Sequence, residues 1–157
     1  MITIEDHEGF KRTFKDKHLT LGLSIPFDQP KQKQINIDEQ VELAQLAEEL
    51  DYSSLFVRDN PLYSKYLGNV TENYDPFVFL TYLAAHTSKI SLGTASIVAT
   101  LRHPLHLAKA ATSLDILSHE RLLLGMATGD RSFEFPAFKA DPYTNPRAPE
   151  PHRHPDG

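Results

Sequence analysis

GTASIVATLRHP, residues 93–104, changes character twice. It continues a strand-like run from about Lys89 to Val98, breaks at Pro104, and gives way at once to a helical run that reaches Ser118. A buried strand packs best with bulky β-branched side chains, yet Gly93, Ala95 and Ser96 are small. Small residues in a strand mark a close approach of another group. Either neighbouring elements pack tightly there, or a flat ligand lies on the bare backbone.

Outward from this stretch the chain repeats a pattern. Leu19 to Ile25 alternates large apolar with small or polar residues, the period of a strand. Asp38 to Leu50 carries an apolar stripe of Val41, Ala44, Leu46, Ala47 and Leu50, with Asp38 as the expected cap. Ser53 to Val57 is a second strand. Asp75-Pro76 opens a helix running to about His86, with a capping carboxylate and a proline in the first turn. Leu107, Ala111 and Leu114 share one face of the helix from Pro104, and Arg121 to Ala127 is a fourth strand. The order β-α-β-α-β-α-β, about thirty residues per unit, predicts parallel strands joined by crossover helices. In such folds ligands bind at the carboxyl ends of the strands. Those ends are Ile25-Pro26-Phe27, Val57-Arg58-Asp59, Ala95 to Val98, and Thr128 to Arg131.

Composition sets bounds. The chain has 157 residues, 40% hydrophobic and 24% charged, as for an ordinary globular domain. Its net charge of −5 provides no basic field for nucleic acid or anionic lipid. No cysteine is present, so disulfides and thiolate chemistry are excluded. The first eighteen residues read as a polar lead-in with a helical turn near Phe10 and Phe14. They lack the apolar core of a signal peptide, and no later run is long enough to span a bilayer, so a cytoplasmic location is expected. Residues 142–157 hold five prolines in sixteen positions and no aliphatic pattern, and are expected to be disordered. His103 and His106 have no third ligand nearby, so no metal is expected, and His103 reads instead as part of the start of its helix. There is no Gly-x-Ser-x-Gly elbow and no phosphate loop.

The combination of Thr94-Ala-Ser-Ile-Val98, Arg102-His-Pro104, Ser113-Leu-Asp-Ile-Leu-Ser118 and Gly129-Asp-Arg131, with Val57-Arg-Asp-Asn-Pro61 upstream, resembles the luciferase-like flavin monooxygenases over residues 19–141. The resemblance implies a partial (β/α)8 TIM barrel of about four parallel strands. It implies reduced FMN as cofactor, with a deazaflavin as the second choice, and O2 and a small organic molecule as substrates. It places Thr94, Ala95, Ser96, Thr128, Gly129 and Asp130 at the flavin, with a non-prolyl cis peptide at Ala95–Ser96. Arg58, Asp59, Arg102 and Arg131 are the expected substrate or anion contacts, and a homo-oligomer is the expected assembly.

Three departures qualify the resemblance. Arg58 and Asp59 stand where the luciferases themselves place histidines, so light emission is not expected. His119 and Glu120 stand at a turn where members usually carry glycine. Only four strands are visible, where a complete barrel takes about 250 residues. The alternative reading is therefore a truncated, inactive chain that self-associates or pairs through its open sheet edges. An open flavodoxin-like domain fits less well, because Ser24-Ile25-Pro26-Phe27 lacks the glycines and hydroxyls of a phosphate loop.

Overall fold

The computed structural model describes residues 3–14, 18–25, 36–62 and 74–140. The expectation for the tail at 142–157 lies outside them. Six strands and five helices follow in order: α1 Glu8–Thr13, β1 Gly22–Ile25, α2 Ile37–Glu49, β2 Ser54–Val57, α3 Pro76–Ala84, β3 Ser91–Thr94, β4 Ile97–Val98, α4 Pro104–Leu117, β5 Leu122–Leu123, β6 Met126–Ala127 and α5 Glu134–Ala137. Short 3₁₀ turns stand at Ile4–Asp6 and Ala99–Leu101.

The main sheet runs β1-β2-β3-β5, and every neighbouring pair is parallel. Its spatial order follows the chain order, so each crossover moves one strand in the same direction. That is the winding of a barrel wall rather than of a doubly wound open sheet, which reverses direction part-way. The main core lies between sheet and helices, with Leu55, Leu80, Leu83, Ile90, Leu92 and Leu114 nearly or fully inaccessible.

Local chemistry explains the elements and corrects two details. Asp75 caps α3 as expected, its carboxylate accepting from the N–H groups of Phe77 and Val78. α4 starts at Pro104 with the His103 ring accepting from the Leu105 N–H. The cap of α2 is Asn36 rather than Asp38: the Asn36 side chain accepts from the Asp38 N–H, and the helix begins one residue early. The buried face of α2 is Gln40, Ala44 and Ala47, whereas Leu46 and Leu50 point outward.

Two expected strands are each broken into two. The third divides into β3 and β4 at Ala95-Ser96, and the fourth into β5 and β6 at Leu124-Gly125. The breaks face one another. The Thr94 hydroxyl donates to the Gly125 carbonyl at 2.8 Å and accepts from the Gly125 N–H at 3.0 Å. The Ile97 N–H donates to the same carbonyl. A Cβ at Gly125 would lie 2.1 Å from the Thr94 backbone carbonyl oxygen, so only glycine allows this approach. Beyond the breaks, β4 and β6 form their own parallel pair.

Residues 3–14 of the polar lead-in are packed against the fold. The helical turn near Phe10 exists as α1, and it packs beneath the amino ends of the strands. Gly9 is buried against the Arg121 backbone, its N–H donates to the Glu120 carbonyl, and its carbonyl accepts from the Ser91 hydroxyl. The His7 ring sits 3.0 Å from an Asp115 carboxylate oxygen, tying the segment to α4. His119 and Glu120 hold the left-handed conformation, at φ of 58° and 59°, that glycine would adopt more readily. The turn takes this left-handed shape without a glycine.

Candidate functional site

At the carboxyl ends of the strands a cleft of about 480 Å³ opens between three loops. Arg58, Asp59 and Asn60 line it from beyond β2. Ala95, Ser96 and Val98 line it from the β3–β4 break, and Ala127 to Arg131 with Glu134 from beyond β6. A larger hollow, about 620 Å³, lies at the opposite end of the sheet around Leu19, Leu21, Leu50 and Tyr52. Its arginine, Arg12, is already held by Asp51 and by the Tyr52 carbonyl. The smaller cleft is the better candidate because strand carboxyl ends in parallel βα folds present the functional loops.

The wall of the cleft formed by β3 and β4 is held by one ion-pair system. Asp59 is buried, and its carboxylate accepts from the Val98 N–H at 3.0 Å. Arg102 donates to both oxygens of Asp59, from Nε at 3.1 Å and Nη2 at 2.9 Å, and its Nη1 donates to Asp75 at 3.0 Å. Its guanidinium also lies over the Phe77 ring. Burial works against the charged form of Arg102, but the Asp59 and Asp75 carboxylates outweigh it and push its pKa up. Asp59, just beyond β2, therefore holds the end of β4, and Arg102 ties it to Asp75, the cap of α3.

The third loop is pinned differently. Gly129 has φ of 85°, and a Cβ there would meet Val98 Cγ1 at 2.8 Å. Phe135 is buried with Val98 and Leu101 in a small second core. Glu134, on the first position of α5, is 1% exposed. Burial pushes its pKa up; Arg131 and the Leu62 N–H pull the other way, while Asp59 and Asp130 reinforce the rise.

Eight of the ten residues singled out from sequence line this cleft: Arg58, Asp59, Ala95, Ser96, Thr128, Gly129, Asp130 and Arg131. The Ala95–Ser96 peptide is cis. Thr94 and Arg102 do not line it. The Thr94 hydroxyl is paired with Gly125, and Arg102 gives three of its N–H groups to two carboxylates. Gly93 also has another explanation than a ligand: a Cβ there would stand 2.3 Å from the Phe56 ring of the adjacent strand. The bare backbone therefore has two causes, side-chain packing at Gly93 and a cleft wall at Ala95-Ser96. Asn60 and Glu134 were missed. Asn60 sits beside the Arg58-Asp59 pair already noticed, and Glu134 reads as a solvent-facing acid in SFEFPAF until Phe135 is seen to bury that turn.

The family model for luciferase-like monooxygenases matches residues 19–153. The chain belongs to that family. Among relatives of this luciferase-like chain is the oxygenase component of a flavin-dependent trigonelline monooxygenase from Acinetobacter baylyi. It is 36% identical over 108 residues, covering 69% of this chain and 28% of the relative. A solved monooxygenase, RslO1 from Streptomyces bottropensis, superimposes with a TM-score of 0.65 at 28% identity, over 78% of this chain and 37% of that one. The coenzyme F420-dependent tetrahydromethanopterin reductase from Methanopyrus kandleri superimposes with a TM-score of 0.58 at 27% identity, over 82% of this chain and 34% of that one. The luciferase-like chain thus spans about a third of these proteins. No helix among its described residues is long and apolar enough to cross a membrane.

A flavin ring fits the shape of this cleft: one wall is backbone and small side chains, Ala95, Ser96, Ala127 and Gly129, against which a planar ring can lie.

Proposed function

We propose that this cleft binds the isoalloxazine ring of a reduced flavin, FMN in the first instance. The chain then carries flavin- and substrate-facing loops of a monooxygenase acting on a small organic molecule with O2. The observation that carries this reading is the convergence of Arg58-Asp59, Ala95-Ser96 and Thr128 to Arg131 on one cleft in a chain of this family. When bound, a reduced flavin supplies the electrons that activate O2. The residues of the chain do the rest. Ala95, Ser96 and Gly129 offer a close, flat wall, and the Asp59–Arg102 pair keeps that wall in place. Arg58 and Arg131 give the cleft positive charge where an anionic group on a substrate would sit. The small side chains and the Phe135 cluster restrict water on the ring's buried side.

Titration of the purified chain with FMN, followed by flavin absorbance and fluorescence, tests the reading. A saturable spectral change is expected, absent when Ala95 and Gly129 are both replaced by leucine in a protein that keeps its circular dichroism. A parallel titration with F420 decides between the two cofactors: tighter binding of F420 moves the assignment to the deazaflavin. No spectral change with either sinks the proposal.

A second reading is favoured by one feature. Leu19, Leu21 and Met126, near the first and last strands, are 90%, 59% and 60% exposed. Unpaired apolar edges invite association, and a catalytically silent chain that self-associates is the alternative. Light scattering showing a defined oligomer, together with no flavin binding, would favour it.

A further inference from the structure

The short segment from Val98 to Arg102 makes hydrogen bonds to two of the loops around the cleft. Toward the loop beyond β2, the Val98 N–H and the Arg102 guanidinium are both tied to Asp59. Toward the loop beyond β6, the Thr100 hydroxyl donates to the Thr128 carbonyl at 2.8 Å. The segment itself is firmly seated. Leu101 is buried with Val98 and Phe135 in the second core, and Ala99 packs against the main one. The Arg102 N–H closes the Ala99–Leu101 turn on the Ala99 carbonyl at 3.2 Å. Thr100 does not line the cleft, whereas Thr128 to Arg131 do. The loop it grips has freedom to lose. Gly129 follows at φ of 85°, and glycine accepts either sign of φ at little cost, so backbone sterics alone do not fix the peptide between Thr128 and Gly129.

We infer that Thr100 is a positioning residue of the cleft: its hydroxyl holds the Thr128-Gly129 rim in the arrangement that receives the ring. The inference rests on the flavin reading above, and it adds a residue that touches no ligand and lies outside the motifs that brought the cleft to notice. Threonine suits the task. Its side chain is short and stiff at χ1, so a bond from it restrains its partner more closely than one from a long, flexible chain. The Asp59–Arg102 pair holds the β3–β4 wall, and Thr100 fastens the loop beyond β6 to the same segment. The bond is exposed, so water replaces a lost partner and little global stability depends on it. What depends on it is the choice among loop arrangements in the folded chain. A ligand that needs one arrangement binds in proportion to the fraction of time the free protein holds it. A fall of that fraction to about one fifth weakens the apparent affinity about fivefold.

The test titrates FMN into the full chain, Thr100→Val and Thr100→Ser, with F420 in its place if the parallel titration has moved the cofactor assignment. Valine keeps the shape of threonine and loses the hydroxyl, whereas serine keeps the hydroxyl and loses the methyl group. Thr100→Val is expected to bind about fivefold more weakly, and Thr100→Ser within about twofold of the wild type. In the absence of ligand, amide hydrogen exchange at Gly129 and Asp130 is expected to quicken in Thr100→Val and to stay as in the wild type in Thr100→Ser. Wild-type affinity in Thr100→Val overturns the inference while leaving the flavin reading intact. So does equal weakening in Thr100→Ser, because the methyl group would then be what matters. So does weaker binding in Thr100→Val without quicker exchange at Gly129 and Asp130, because the rim would not have been released. Failure of the wild type to bind FMN or F420 refutes the flavin reading, and this inference with it.

Discussion

Arg121 lies under the sheet and Arg102 lies above it, and the two guanidiniums, the first buried and the second half-buried, are satisfied by opposite means. All five N–H donors of Arg121 go to neutral oxygens: the carbonyls of Ser118, Ile90, Ala84 and Thr87, and the Thr87 hydroxyl. No carboxylate touches it, and burial pulls its pKa down despite the distant charge of Glu48. Arg102 spends its donors on the Asp59 and Asp75 carboxylates, and its pKa moves up. The lower arginine is a neutral-acceptor hub that closes the ends of α3 and α4 onto the strands. The upper one is an ion-pair clamp on the loops that shape the cleft.

The largest effect is expected at the lower hub. Arg121→Met leaves four carbonyls and a hydroxyl inside the protein without donors. At about 1–3 kcal/mol for each group left unpaired, and with partial relaxation, the loss should be roughly 4 kcal/mol. Urea unfolding would read this as a lower midpoint with an unchanged slope. Arg121→Lys should recover only part, because three donors on one nitrogen cannot reach five positions set around a planar fork. No second substitution should rescue Arg121→Met, since no single partner group is responsible. A rescue by Glu48→Gln would break the contrast.

Arg102→Met is expected to cost about 3 kcal/mol, chiefly because Asp59 is left as a buried charge with only the Val98 N–H. Here a rescue is expected: Asp59→Asn in the same chain removes the charge and should restore about half of the loss. The same single variant should weaken FMN binding, because the β3–β4 wall loses its anchor, whereas Arg121→Lys should leave binding of the folded protein unchanged. If Arg102→Met loses stability but binds FMN as tightly as the wild type, the clamp has no part in shaping the cleft.

The different chemistry of the two ends also explains what could be read from sequence. The βα repeat, its parallel winding and most of the cleft are visible because they rest on apolar periodicity and on loops at predictable strand ends. Asp75-Pro76 and His103-Pro104 announce their helices through cap and proline. The strand breaks do not show in the pattern, since their cause is a long-range bond between the Thr94 hydroxyl and Gly125, thirty-one positions apart. Gly93 misleads for a similar reason: the ring that requires it to be small is Phe56 on another strand. Arg121 reads as an ordinary polar residue after a turn, because nothing local reveals four carbonyls converging on it from α3, α4 and the start of β3. Arg102, a residue whose charge suggests a ligand, has two carboxylate partners that the sequence places 27 and 43 positions away.

The smallest expected effect is the most diagnostic for the comparison, because it has opposite signs at the two ends. Glu48, below, is half-buried, which disfavours its charge. That is outweighed by the N–H groups of Ile90, Lys89 and Ser88 and by the Ser88 hydroxyl, so its pKa falls below the ordinary 4.5. Its folded pKa lies under the unfolded one, so its contribution is present above about pH 4.5 and is lost as pH falls through the depressed value. Glu134, above, has its pKa raised by burial. Its favourable contribution is therefore full below the unfolded value and is lost as pH rises through the elevated one. Glu48→Gln should destabilise by about 1 kcal/mol at neutral pH, with the deficit closing in acid. Glu134→Gln should match or exceed the wild type at neutral pH, with any gain vanishing near pH 4. Unfolding free energies measured for the three proteins between pH 3 and 8 should give difference curves of opposite slope. Parallel curves would mean that Glu134 is as well satisfied as Glu48.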